Sequence, residues 1–412
     1  MTSTTYVKEL NRESHTDFKH LFQPLQQIAK WTGLHSVQIG KESRFYIVKK
    51  VLNWIKLLIV YFVIVSAPFK FLYVVLYNDS GSDGRIIPIL AVFVYFAAST
   101  YITIASYFSV SKYFSSFCES LNEHQRLYGN IQINLYIKIV CKWANWIVVV
   151  VTVIPTVLYS FITFHFQDDL SDVFRPLSFK GILNTVLTLS YVLSNTFFLT
   201  AHQVILVMFL ILTFTLFLRQ FSHLNERLEK SLAEKLSPSL QEKTIETIRQ
   251  EYSSLLASFE ITNSVIHHYL FALYAMCIPI VCFLLYGLLR GKLTGGESLA
   301  MSVLAMFVVF FVLVLTIIGA VFNIMAHSPL NVLMKVDIQS ITDKAVHSLS
   351  LFVSRLNGPT VGYHVYNLFT LDTHTALALT GTLLTYGIVM LQFSESGSSG
   401  NSVCNSNNSL TS

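Results

Sequence analysis

Three sets of polar side chains recur at helical spacing inside otherwise apolar stretches of this chain. Asn184, Thr188, Tyr191, Asn195 and His202 fall four, three, four and seven residues apart, so they share one face of a helix. Thr152, Thr156, Tyr159 and Thr163 repeat the pattern one segment earlier. Near the end, Thr385 and Gln392 stand seven apart, each followed by an aromatic residue, Tyr386 and Phe393. Rows of hydroxyls, amides and rings can hold a small molecule, or line a path for water and ions.

The signs of catalysis are few. His267-His268 is a lone pair without the repeated histidines of a membrane di-iron site, and it reads as interfacial. Asp168, Asp169 and Asp172 read as a solvated acidic loop. No HExxH, GxSxG or phosphate-binding loop occurs. The five cysteines have no metal-ligand spacing. The expectation is therefore no enzyme, no catalytic residue, no cofactor and no metal site.

The elements that carry these rows are membrane helices. Of 412 residues, 53% are hydrophobic and 12% charged, with a mean hydropathy of +0.56. Soluble domains carry about a quarter charged residues. Apolar runs near the length of about 20 residues that spans a bilayer lie at 54–77, 86–110, 144–164, 181–205, 267–289, 299–325 and 373–393. The first 50 residues are polar and carry no signal-peptide pattern. The expected fold is an all-α polytopic membrane protein of seven transmembrane helices.

Of the 28 Lys and Arg residues, 21 flank the spans on the side of the N-terminus and 5 on the other side. The remaining two, Lys56 and Lys70, fall inside span one. That bias places the N-terminus in the cytoplasm and the C-terminus outside, opposite to a G-protein-coupled receptor. Both N-x-S/T sequons, at Asn78 and Asn407, then face outward. The net charge of +5 follows from this bias and implies membrane lipids, not nucleic acid, as the surroundings.

Three regions follow: a cytoplasmic segment 1–53, a seven-helix domain 54–393 and an extracellular flexible tail 394–412. The run 181–218 is too long for one crossing and should continue into the cytoplasm. Phe221, Leu224, Leu228 and Leu232 prolong its apolar face. Ser237-Pro238 opens another helix with Ile245, Ile248, Tyr252, Leu255 and Phe259 on one seam. A third is expected from Ser328-Pro329 to Asn357-Gly358-Pro359. Together, about 206–266 and 328–357 should form an intracellular helical base. Prolines 68, 88, 155 and 279 are expected to kink spans one, two, three and five.

The polar faces of spans three and four either hydrogen-bond to other helices or line a pocket in the outer half of the bundle. The candidate pocket residues are Tyr159, Thr163, Asn184, Thr188, Tyr191 and Asn195. On the last helix, Ala378, Gly381, Thr385 and Gln392 form a small, polar line with Ile388 between. One such helix cannot enclose a pore, but several copies around an axis can.

Thr385-Tyr386, five mostly apolar residues, then Gln392-Phe393 resembles the C-terminal signature of insect gustatory receptors. Phe369-Thr370-Leu371-Asp372 is similar to the stretch that leads into their last helix. The resemblance implies a taste receptor of the plasma membrane, a ligand-gated non-selective cation channel opened by a small-molecule tastant without a G protein. It implies a homotetramer, or a heterotetramer with related receptors, with the intracellular helices as its anchor. The last helix would line the pore at Thr385, Ile388, Val389, Gln392 and Phe393, the final two forming the outer constriction. Sugar-receptor members tend to carry Glu where this chain has Gly387, which points towards a bitter or orphan type. An odorant-receptor-like channel and a polytopic transporter are the alternatives, although no internal repeat of the transporter kind is present.

The charge bias has a direct test. A C-terminal epitope tag should stain on intact cells and an N-terminal tag only after permeabilisation; the reverse staining would overturn the orientation.

Overall fold

The computed structural model describes residues 17–34, 46–77, 86–129, 135–165, 182–233, 238–290, 295–334, 343–358, 360–366 and 368–404. Two short helices come first, α1 (Phe18–Leu21) and α2 (Gln23–Thr32). Six long helices follow: α3 (Tyr46–Tyr77), α4 (Ile86–Tyr128), α5 (Leu135–His165), α6 (Ile182–Ala233), α7 (Pro238–Arg290) and α8 (Gly295–Leu333). Helix α9 (Asp343–Leu356) leads through a two-rung antiparallel hairpin, β1 (His364–Val365) with β2 (Phe369–Thr370), into α10 (Thr373–Cys404). The hairpin is a small departure from an otherwise all-helical fold.

Helices α3 to α8 each contain a window long and apolar enough to cross a membrane. Helix α10, the expected seventh span, is diluted by Thr and Gly and falls short of that hydropathy among the described residues. Its polar composition is what the sequence singled out.

Helices α6 and α7 run 52 and 53 residues without a break. Each is roughly 75–80 Å long, more than twice the hydrocarbon thickness. Below the membrane portion the expected seams close on each other. Phe221, Leu228, Ile245, Ile248 and Tyr252 are fully buried, and Phe259 nearly so. The base is a stack of rings. Phe259 lies flat on Phe322 of α8 at 4.2 Å, while Phe221 meets Tyr252 edge-on at 5.5 Å. Tyr252 tilts against Phe352 of α9 at 5.2 Å, and its hydroxyl donates to Ala326 O. Such ring pairs add about 0.5–1.5 kcal/mol each beyond the area they bury.

Three expectations need correction. No helix starts at Ser328-Pro329, because α8 runs through both to Leu333. Pro329 has no N–H for the carbonyl of Met325, and the Ser328 hydroxyl donates to that oxygen instead, at 2.8 Å. Pro88 kinks nothing, since it sits in the first turn of α4, where backbone N–H groups have no helical acceptor. The tail does not begin as coil: α10 continues to Cys404 through a stretch that contains no proline to interrupt it. The N-terminal segment contributes to the core. Phe18, Phe22, Leu25 and Ala29 are buried in the main core, and α2 ends at Gly33, whose φ of +89° suits glycine.

Candidate functional site

The surface of α10 divides cleanly. Leu379 is buried and Leu383 packs on the core, so this side leans on α7 and α8. The opposite line, Ala378, Gly381, Thr385, Ile388 and Gln392, is exposed along its whole length. Among the described residues, nothing lies within 4 Å of a Cβ placed at Gly381 or Gly387. Thr380, Thr382 and Thr385 donate their hydroxyl protons to carbonyls one turn back, at 2.7–2.9 Å. Having donated, each hydroxyl oxygen keeps a lone pair that can accept from water or meet a cation. Of the other motif residues, Tyr386 is exposed and Val389 half-buried, and the side chain of Phe393 lies outside the described residues.

The row on α6 splits in function. At its inner end, His202 is buried and fully used. Its Nε2 donates to Thr32 O at 3.0 Å, which leaves Nδ1 to accept from the Thr103 hydroxyl at 3.2 Å. These are interhelical bonds, one of the two readings of the row. Further out, the Tyr191 hydroxyl meets Ser66 Oγ of α3 at 3.1 Å, with Lys70 Nζ 5.0 Å from its ring centre. Asn195 is buried, and its Nδ2 donates to Tyr191 O. Its Oδ1 has no hydrogen-bond partner among the described residues. Thr152 and Thr156 are buried on α5, and the Thr152 hydroxyl likewise has no partner there. Tyr159 and Thr163 on α5, and Asn184 and Thr188 on α6, have side chains outside the described residues.

Two features escaped sequence reasoning. A cavity of about 30 Å³ lies among Tyr95 and Ser99 of α4, Gln203 of α6, Tyr269 and Met276 of α7 and Phe307 of α8. It is large enough for a water molecule, and Gln203 Nε2 donates to Ser99 Oγ at its edge. Only the juxtaposition of four helices reveals it.

The second is the hairpin that launches α10. Asp372 caps the helix by accepting from Thr375 N at 2.7 Å, and Leu371 N donates to Tyr363 O. Asn323 of α8 donates to Val361 O, while Asn263 of α7 accepts from His364 N. Burial lowers the pKa of His364, with Glu260 partly opposing, so its neutral Nδ1 accepts from the Thr370 hydroxyl. Tyr366 takes a left-handed φ of +49°, strained for a side chain of this size. Its hydroxyl bonds to His268 Nδ1, and Tyr101 lies within reach of both. Burial, then Tyr101, pushes that hydroxyl up to about 12, so it keeps its proton to donate. The His267-His268 pair is thus a brace for the hairpin, 98 residues from Tyr366 in sequence and invisible to spacing.

The chain matches the family model described as 7tm Chemosensory receptor over residues 22–397. It belongs to that family. Among solved structures, the receptor resembles the insect olfactory receptor OR5 from Machilis hrabei, both in complex with eugenol and without it. The TM-scores are 0.67 and 0.66, at 16% identity over 92% of this chain and 100% of that one. No curated protein matches its sequence. At this identity the likeness confirms the fold, a helical polytopic membrane protein.

The seat of the hairpin on α8 sets a close contact. A Cβ at Gly319 would stand 2.4 Å from Leu371 Cβ, whereas at Gly295 it would meet open space. Gly319→Ala should therefore destabilise the receptor by about 1–3 kcal/mol, as overpacking does, with Gly295→Ala near neutral. Thermal unfolding of the purified variants checks this.

Proposed function

We propose that the receptor is a ligand-gated, non-selective cation channel of the plasma membrane, opened by a small-molecule tastant. One observation carries the reading: the small, polar line of α10 is bare among the described residues of the single chain. Several copies, four in this reading, would turn these lines towards a common axis as a water-filled path. The subunits are copies of this chain or related receptors, and no G protein takes part. Thr385, Ile388 and Val389 form the wall, and Gln392 with Phe393 the outer constriction. The Thr385-Tyr386 and Gln392-Phe393 pairs favour taste. An odorant-receptor-like role is the second reading, favoured by the likeness to the Machilis olfactory receptor.

The ligand site of this reading lies on the outer parts of α5 and α6, around Tyr191 and Asn195, with Tyr159, Thr163, Asn184 and Thr188 as further lining. The open Oδ1 of buried Asn195 supports it, since a ligand hydroxyl or amine could donate there. A buried oxygen without a partner costs about 1–3 kcal/mol. Asn195→Leu should therefore leave stability unchanged or raised, yet abolish responses to compounds that open the wild-type channel. An unchanged dose–response curve would remove this site.

The pore assignment is tested by permeation. Gln392→Glu would place up to four carboxylates at the constriction and should strengthen block by divalent cations. Gln392→Arg should suppress cation current, and Phe393→Ala should wet the constriction and give current without ligand. Unaltered conductance and reversal potentials in well-expressed variants would take these residues out of the pore.

A further inference from the structure

Gly319, Asn323 and His327 of α8 stand four apart and so share one face of that helix. This face is the seat of the hairpin. Gly319 leaves the room that Leu371 fills. Asn323 and His327 hold the two polar groups of a single residue. Asn323 Nδ2 donates to Val361 O at 2.9 Å, and Val361 N donates to His327 Nε2 at 3.2 Å. Side chains one turn apart thus satisfy the backbone of Val361 as a neighbouring strand would.

The direction of the second bond is fixed. A backbone N–H can only donate, so His327 must offer a lone pair at Nε2 and carry its proton on Nδ1. A proton added at Nε2 sets two N–H groups against each other. The other imidazole contacts of the hairpin are more forgiving. His364 Nδ1 meets the Thr370 hydroxyl at 2.9 Å, and His268 Nδ1 meets the Tyr366 hydroxyl. A hydroxyl can turn and accept instead. Of these three contacts, only the one at His327 cannot adapt. His327 is half-buried, so protons reach it in the folded chain. Several titratable and charged groups surround the seat. Glu260 of α7 lies 3.7 Å from Arg355 of α9, and the two offset each other in charge. Tyr252 of α7 donates to Ala326 O, next to His327. The hairpin brings Tyr363, packed on Phe322, and His364; beyond Tyr366 lie His267, His268 and Tyr101.

We infer that His327 is a proton sensor for the hairpin: neutral, it seats Val361 on α8, and on taking a proton it releases that residue and loosens the turn that starts α10. The seated form binds one proton fewer than the released form, so falling pH favours release. Free imidazole takes its proton near about pH 6.5, which puts the change within the range cells experience. The left-handed φ of +49° at Tyr366 is a strain that release relieves. Leu371 N on Tyr363 O and the Thr375 hydroxyl on Thr370 O carry the loosening into α10. The inference concerns how the hairpin is held and does not depend on the channel reading.

Amide hydrogen exchange of the whole purified receptor tests this, read by mass spectrometry and corrected for the intrinsic pH dependence of exchange. The segment 360–366 reports on the hairpin; 244–259, in the base and free of histidine, is the comparison. Between about pH 7.5 and about pH 5.5, protection of 360–366 should fall about tenfold, the effect of one proton taken up below about pH 6.5, with 244–259 unchanged. His327→Gln keeps an acceptor that takes no proton, and should hold the change in 360–366 to about twofold or less. His327→Phe, with no acceptor, should be weakly protected at both pH values. No fall in the wild type, an equal fall in 244–259, a His327→Gln receptor that falls as far as the wild type, or full protection in His327→Phe would each overturn the proposal. Should the variants fail to fold, the wild-type profile of the two segments decides.

Discussion

A helix face of Ala378, Gly381, Thr385 and Gln392 cannot rest in hydrocarbon, and none of the described residues covers it. Hydrocarbon offers nothing to satisfy an amide or a hydroxyl lone pair, so such a face must meet water or another polar surface. The other six long helices meet part of this demand within the chain. They expose mainly apolar side chains, and some of their buried polar groups make interhelical bonds, as His202 does with Thr103 and Thr32. Helix α10 leaves the problem open, and a shared axis between subunits would close it.

The remainder of the structure holds that helix in place. Long extensions of α6 and α7 meet α8 and α9 in an aromatic base, in which Phe322 of α8 stacks on Phe259. The hairpin hangs between this base and α10, fixed by Asn263, Asn323, the Gly319–Leu371 contact and the Tyr366–His268–Tyr101 group. A shift of α7 or α8 is therefore passed to the first turn of α10 by hydrogen bonds and close packing. The bond of Tyr366 also ties this turn to span two, through Tyr101.

Much of this was legible in the sequence because it rests on periodicity. The membrane class, the overlong α6, the seam from Ile245 to Phe259 and the odd face of the last helix all follow from which residues recur at three and four. What periodicity cannot convey is which distant side chains meet. His267-His268 gave no sign of Tyr366, and Gln203 none of the cavity beside Tyr95. Ser328-Pro329 misled because a proline normally marks a helix start, yet a neighbouring hydroxyl can replace its missing donor. The candidate ligand row was half legible: the same spacing describes a bonded His202 and an open Asn195.

Whether the bare line of α10 meets water is the claim on which the account stands. Gly381→Cys and Thr385→Cys receptors, in intact cell membranes, can be exposed to a charged, water-soluble thiol reagent and the labelled fraction measured. Leu379→Cys, on the buried side of the same helix, serves as the comparison. The account predicts labelling at 381 and 385 and little at 379. Labelling of 381 and 385 only by a lipid-soluble reagent, with none by the charged one, would contradict it.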